Sequence, residues 1–209
     1  MTTYTLPEAS TRPPTEPGVV YLVASGDLRP AANVTCWPTQ QQLEANLGAA
    51  VARHGWRVHR AHDEDPDTGH GFIDSQRAGI EVFKGIPLDA PLIVAEGAWQ
   101  YSHHVLAGLR SHHGPILVVA NWSGQFPGLV GLLNLAGSMT KAGIDYSVLW
   151  SRDFTDQWAV DGLKTWLVDG RIVHNQSHVR DLSPLPESAE RELGTALARQ
   201  LRTDKAVLG

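Results

Sequence analysis

Three short runs, Val19–Ser25 (VVYLVAS), Leu92–Ala95 (LIVA) and Ile116–Ala120 (ILVVA), constrain this chain most. None alternates apolar with polar residues, so each reads as a strand covered on both faces. Between and after them lie segments with helical spacing: Leu43, Leu47, Ala50 and Val51, then Val105, Leu106 and Leu109, then Trp158, Leu163, Trp166 and Leu167. Two further runs, Trp56–Ala61 and Tyr146–Trp150, complete a regular strand–helix alternation. That pattern predicts an α/β fold, with about five mostly parallel strands and helices on both faces of the sheet.

Punctuating residues set the expected boundaries. Thr39 is placed to cap the first helix and Gly55 to end it. A short helix is expected around Ala78–Phe83 and another over Gln100–Ser111. Pro127 opens a helix over Gly128–Lys141, which Gly143 ends; Gly128, Gly131 and Gly137 imply close backbone approach there. A helix follows over Thr155–Val168, then a short Ile172–Val173 segment. A last helix, Glu187–Leu201, stacks Leu193, Leu197 and Leu201 at i, i+4 and i+8. Residues 1–17, with Pro7, Pro13, Pro14 and Pro17, read as a flexible arm. Residues 18–182 read as the α/β domain. Residues 183–209 read as a C-terminal helix, and Ala206–Gly209 as the opening strand of a following domain.

Charge and motif content exclude several classes. The net charge is -5 and no Lys/Arg run occurs, which leaves no footprint for nucleic-acid phosphates. No run approaches the roughly 18 apolar residues of a membrane helix, and no secretory signal opens the chain. The single cysteine, Cys36, allows no internal disulfide and fits a cytoplasmic protein. There is no Gly-rich phosphate loop. The ten histidines show no zinc spacing, and the adjacent pairs His103–His104 and His112–His113 would point about 100° apart on a helix. No catalytic set and no metal site is expected within this chain.

In an open α/β sheet, ligands bind outside the carboxyl ends of the strands. After the first strand stand Asp27, Arg29 and Asn33; after the third, Glu96, Trp99 and Gln100. Asn121, Trp122 and Ser123 follow the fourth strand, and Ser151, Arg152 and Asp153 the fifth. Amide, hydroxyl, charge and flat aromatic surface together suit a polyol, which offers hydroxyls and a C–H face. The competing reading is loop solvation, ion pairing and capping. Arg29 divides evenly between ligand contact and an ion pair, and Asn121 can cap the next turn. Glu96 ends a buried strand, where a carboxylate must be exposed, paired or protonated.

Read together, three segments resemble the N-terminal region of the L-fucose isomerase family, in the superfamily shared with L-arabinose isomerases. They are Gly26-Asp27-Leu28-Arg29 with Asn33 and Cys36-Trp37, then Glu96-Gly97-Ala98-Trp99, then Asn121-Trp122-Ser123-Gly124-Gln125-Phe126-Pro127-Gly128-Leu129-Val130-Gly131. The resemblance spans roughly residues 18–155. It implies a three-layer, flavodoxin-like, doubly wound parallel sheet of strand order 2-1-3-4-5. It also implies the substrate-recognition region of an aldose–ketose isomerase that assembles as a homo-oligomer. In that family a divalent metal, typically manganese, is held by two carboxylates and a histidine in later domains, so this chain alone would bind no cofactor and be inactive. Its partners would be the sugar and the missing C-terminal domains or neighbouring subunits, with no nucleic acid and no membrane. Arg29 and Trp99 match the arginine and tryptophan that touch the sugar. Asp27, Glu96, Asn121 and Trp122 complete the implied substrate-binding set.

Two other readings compete. One is a stand-alone, non-catalytic sugar-binding or regulatory module using the same strand ends. The other is a flavodoxin-like nucleotide or flavin binder. The many tryptophans (Trp37, Trp99, Trp122, Trp150, Trp158 and Trp166) further predict an exposed aromatic patch that a partner covers.

Overall fold

Strands β1 (Val19–Val23), β2 (Arg57–Arg60), β3 (Leu92–Glu96), β4 (Ile116–Asn121) and β5 (Ser147–Ser151) form one all-parallel sheet of order β2-β1-β3-β4-β5 in the computed structural model of the chain. The structure describes residues 12–98, 103–180 and 188–204. The chain divides into two compact units, Met1–Val173 and His174–Gly209. The first holds the sheet. In the second, the described residues form the helix Ala189–Asp204, one solvent-facing helix whose Leu193, Leu197 and Leu201 are all exposed. The expected strand at Ala206–Gly209 and the prolines before this helix lie outside the described residues.

The continuous apolar runs are explained by two cores, one on each face. Val19, Tyr21 and Val23 of β1, Leu92 and Val94 of β3, and Val118 and Ala120 of β4 face one side. There they pack on α2 (Gln76–Lys84), α3 (Leu106–Arg110) and α4 (Leu129–Ala142), through Phe83, Leu109, Leu132 and Met139. The alternate residues Val20, Leu22, Ile93, Ala95, Leu117 and Val119 face the other side. They meet Leu43, Leu47 and Val51 of α1 (Pro30–Ala52), and Leu163 and Trp166 of α5 (Gln157–Asp169). Side chains alternate along a strand, so a strand covered on both faces must be apolar throughout. The edge strand β2 shows the contrast, because Arg57 and His59 are exposed and Val58 and Arg60 half-buried.

Two expected boundaries are corrected. The first helix begins at Pro30, nine residues before Thr39, and carries Pro38 in its interior. Its buried stripe runs Asn33, Cys36, Trp37, Gln40, Leu43, Leu47, Ala50 and Val51. Two of those residues are polar, so the stripe does not read as amphipathic by hydrophobicity, although its spacing is helical throughout. Pro30 suits the first turn; Pro38 lacks the N–H that would complete the ladder. The helix expected over Gln100–Ser111 is confined to Leu106–Arg110, with residues 99–102 outside the described set. The Ile172–Val173 segment joins no strand.

The glycines around α4 differ in what they permit. At Gly128, just before the helix, a Cβ would lie 1.7 Å from the Glu96 carbonyl oxygen and 2.6 Å from Asn121 Oδ1. Gly137 faces open space. Gly143 ends the helix in the left-handed region, as expected of a glycine there. Gly128→Ala is therefore expected to lower stability by about 3 kcal/mol through overpacking. Gly137→Ala should raise it by roughly 0.5–1 kcal/mol through helix propensity. Urea unfolding of the two variants checks this; a neutral Gly128→Ala would refute the close approach of α4 to the end of β3.

Candidate functional site

The carboxyl end of β1 outruns its neighbour β2. Where β2 stops, His62 takes its place: Nε2 accepts the Ala24 backbone N–H at 3.1 Å. The chain then loops out over residues 63–71 and returns at Ile73, which bonds Ala24 and Gly26 at 2.9 and 2.7 Å. Burial pushes the His62 ring down to about 3, which keeps its acceptor nitrogen unprotonated. Arg60 fastens the returning chain, donating to the Gly71 carbonyl and the Glu44 carboxylate while lying over the Trp37 ring.

After β1 the chain turns sharply. Asn33, buried in the first turns of α1, accepts the Asp27 N–H at 2.7 Å and donates to the Asp27 carbonyl at 3.0 Å. The Asp27 carboxylate, buried in turn, receives a two-pronged Arg29 guanidinium at 2.9 and 2.8 Å and the Arg29 N–H at 2.9 Å. Hydrogen bonding to Arg29 holds the Asp27 carboxyl below the usual carboxylate range. Arg29 and Asp27 are thus brought together as an ion pair at the sheet edge.

Glu96 closes β3. It is 2% exposed, and its Oε2 has no hydrogen-bond partner among the described residues. Burial pushes its carboxyl up to about 8, so it stays protonated at neutral pH. The neighbouring backbone is satisfied by Gln40 of α1, which accepts the Gly97 N–H at 2.7 Å and donates to the Ala95 carbonyl at 3.1 Å. Trp99 lies outside the described residues.

Asn121 ends β4 and organises the loop beyond it. Its amide donates to the Ser123 and Phe126 carbonyls at 2.9 and 3.4 Å, and its oxygen accepts the Gly128 N–H at 3.0 Å. Trp122 is held out from this loop, 53% exposed. It borders a cleft of about 560 Å³, with Thr39, Gln42 and Asn46 of α1 on one wall and Arg152 and Asp153 beyond β5 on another. Trp122, Arg152 and Asp153 also border an adjoining hollow of about 480 Å³, whose far side carries Trp150 and Trp158, with ring centroids 4.9 Å apart. Trp158 is 44% exposed, whereas Trp37 and Trp166 are buried.

The strand-end residues therefore fall into two groups. Asp27, Arg29 and Glu96 stand at the ends of β1 and β3, where the strand order reverses; Asn121 and Trp122 belong to the cleft beyond β4 and β5. The α1 wall of that cleft, Thr39, Gln42 and Asn46, was not expected from sequence. Its signal was the i, i+4 pair Gln42–Asn46, bonded at 2.9 Å, on a helix expected to begin only at Thr39. Among the described residues no three His, Cys, Asp or Glu side chains converge to hold a metal ion. Asp27 is already engaged by Arg29, so the described residues do not fit a manganese site. No described helix is long and apolar enough to cross a membrane. No protein-family model and no curated protein matches the chain.

The Glu96 carboxyl links stability to pH. Its folded value, about 8, lies above the ordinary 4.5, so the folded state holds the proton more tightly. Its contribution is complete below about pH 4.5 and is lost as pH rises through about 8, with a slope approaching 1.4 kcal/mol per unit between them. Glu96→Gln removes that loss. The stability difference between Glu96→Gln and the native chain, measured by urea unfolding across this range, should grow with pH; a constant difference would show that Glu96 ionises normally.

Proposed function

We propose that this chain recognises a sugar at the carboxyl edge of its sheet, as the substrate-recognition region of an aldose–ketose isomerase of the L-fucose/L-arabinose type. The observation that carries the reading is Trp122, a half-exposed indole at the lip of a cleft furnished with amides, a hydroxyl and one charge of each sign. A sugar presents C–H faces and a girdle of hydroxyls. An indole covers the first, and Gln42, Asn46, Thr39 and Asp153 offer donors and acceptors for the second. Rigid supports favour such recognition, because a side chain held in place loses little further entropy on binding. Asn121 anchors the loop that presents Trp122, and α1 carries the opposite wall.

The strand-end segments that resemble the isomerase family point the same way. On this reading the chain orients the sugar and excludes water, while the metal-binding carboxylates and histidine come from outside the described residues. Arg29 and Asp27, paired at the reversal of strand order, belong to the same carboxyl edge, where the resemblance gives the arginine a sugar contact.

Titration with L-fucose and L-arabinose, followed by tryptophan emission, tests the recognition step. Saturable quenching at millimolar sugar is expected, and Trp122→Ala should weaken it by about 1 kcal/mol, the range for loss of an aromatic contact. An emission unchanged by either sugar would overturn the reading. Incubated with manganese, the chain alone should not convert L-fucose to its ketose; metal-dependent turnover would place the catalytic ligands within it.

A further inference from the structure

The Trp122 cleft does not end at Trp122. Trp122, Arg152 and Asp153 line both that cleft and the hollow of about 480 Å³ beside it, so the two spaces meet along these three residues. The hollow adds Trp150, Thr155, Asp156 and Trp158. Trp150 lies near the end of β5 and Trp158 in the first turn of α5, with their rings 4.9 Å apart at an angle of 50°. Trp158 is 44% exposed, so the pair gives the hollow an aromatic wall separate from Trp122. The turn joining the two elements is tied to itself. Ser151 Oγ accepts the Phe154 N–H at 2.8 Å, Asp153 Oδ1 the Thr155 N–H at 3.1 Å, and Asp156 caps α5 by accepting the Ala159 N–H at 3.0 Å. Phe154, buried at its centre, has a φ of 59°, the one positive value at a non-glycine position among the described residues. A bulky side chain in that region carries a conformational cost that its surroundings must offset, and such positions concentrate at binding sites. Here the strained turn is the one that presents Arg152 and Asp153 to both spaces.

The lining of the hollow selects the class of ligand. The Arg152 guanidinium opposes a cation, and the Asp153 and Asp156 carboxylates oppose an anion. Both carboxylates already accept hydroxyls of the chain, Asp153 that of Thr155 at 2.6 Å and Asp156 that of Ser151. A neutral ring with a C–H face and hydroxyls meets neither repulsion: indole covers the face, while the guanidinium and the carboxylate lone pairs reach the hydroxyls. That is the chemistry of the first cleft repeated next door. Size agrees. Small-molecule sites span about 300–1,000 Å³, so the cleft of about 560 Å³ and the hollow of about 480 Å³ are each large enough to be a site. A single sugar seated in the first leaves the second, with its own aromatic wall, unfilled.

We propose that the hollow walled by Trp150 and Trp158 is a second sugar subsite, and that the ligand is a neutral saccharide of at least two rings laid across Trp122. This rests on the sugar-recognition reading and names the size of the sugar it takes. Protein labelled with ¹⁵N at its tryptophan indoles tests it, titrated with L-fucose, with L-arabinose and with L-arabinobiose, the neutral dimer of the latter. Trp122→Phe and Trp158→Phe assign the two signals. A single sugar should shift Trp122 and leave Trp158 in place. L-Arabinobiose should shift both along one saturation curve and bind about fivefold more tightly than L-arabinose, the gain expected of one added aromatic contact. Trp158→Ala should return the dimer to the affinity of L-arabinose and leave L-arabinose binding as it was. If a single sugar moves Trp122 while L-arabinobiose leaves Trp158 in place or binds no more tightly, the second subsite is overturned and single-sugar recognition stands. If no sugar moves any indole, both fall. A Trp158→Ala variant that keeps the full preference for the dimer also overturns the subsite. Should that variant not fold, the native Trp158 shift and the two native affinities decide.

Discussion

Five parallel strands that end inside a protein leave backbone groups beyond the reach of the ladder, and every one of them must find a partner. This chain meets that demand with side chains. His62 takes the Ala24 N–H where β2 has stopped. Asn33 takes both backbone groups of Asp27, Gln40 those of Gly97 and Ala95, and Asn121 three groups of the loop before α4. Ser151 does the same after β5, receiving the Asp153 and Phe154 N–H groups. The carboxyl edge is thereby a framework of buried amides, an imidazole and a hydroxyl, tied to backbone at nearly every step.

That framework decides what remains for a ligand. Asn33 and Asn121 look like binding residues by type and position, but their polar atoms are spent on the chain itself. They act on the edge indirectly, by fixing where Arg29 and Trp122 stand. Trp122 can be half-exposed and still well placed, because Asn121 closes the loop beneath it and the close approach at Gly128 leaves that loop no slack. Against this background, the Glu96 Oε2 atom, without a hydrogen-bond partner among the described residues, is an exception.

The same framework explains the long first helix. Its polar buried residues, Asn33 and Gln40, face strand ends rather than strand middles. A helix that packs on a sheet needs apolar residues over the strands and amides over their termini. α1 supplies both in one stripe, from Asn33 to Val51, and continues through Pro38 to do so. Glu44, on the neighbouring turn, adds the carboxylate that holds Arg60 and with it the returning loop.

The strands, their parallel arrangement and the two-sided burial were legible in the sequence, because a doubly covered strand must be apolar at every position. VVYLVAS, LIVA and ILVVA admit few other readings. The helix stop at Gly143 was equally plain in kind, taking the left-handed conformation that glycine permits. The strand-end rule also located Asp27, Arg29, Glu96, Asn121 and Trp122 at one edge. What the sequence did not determine was how they are divided there. Pairing of Arg29 with Asp27, the turning inward of Asn33 and Asn121, and the opening of a cleft between Trp122 and the face of α1 all depend on residues far apart in the chain. Hydrophobic periodicity is local and reports which residues leave water. Which buried amide meets which backbone group is set by distances across the packed sheet, and only the tertiary structure decides those.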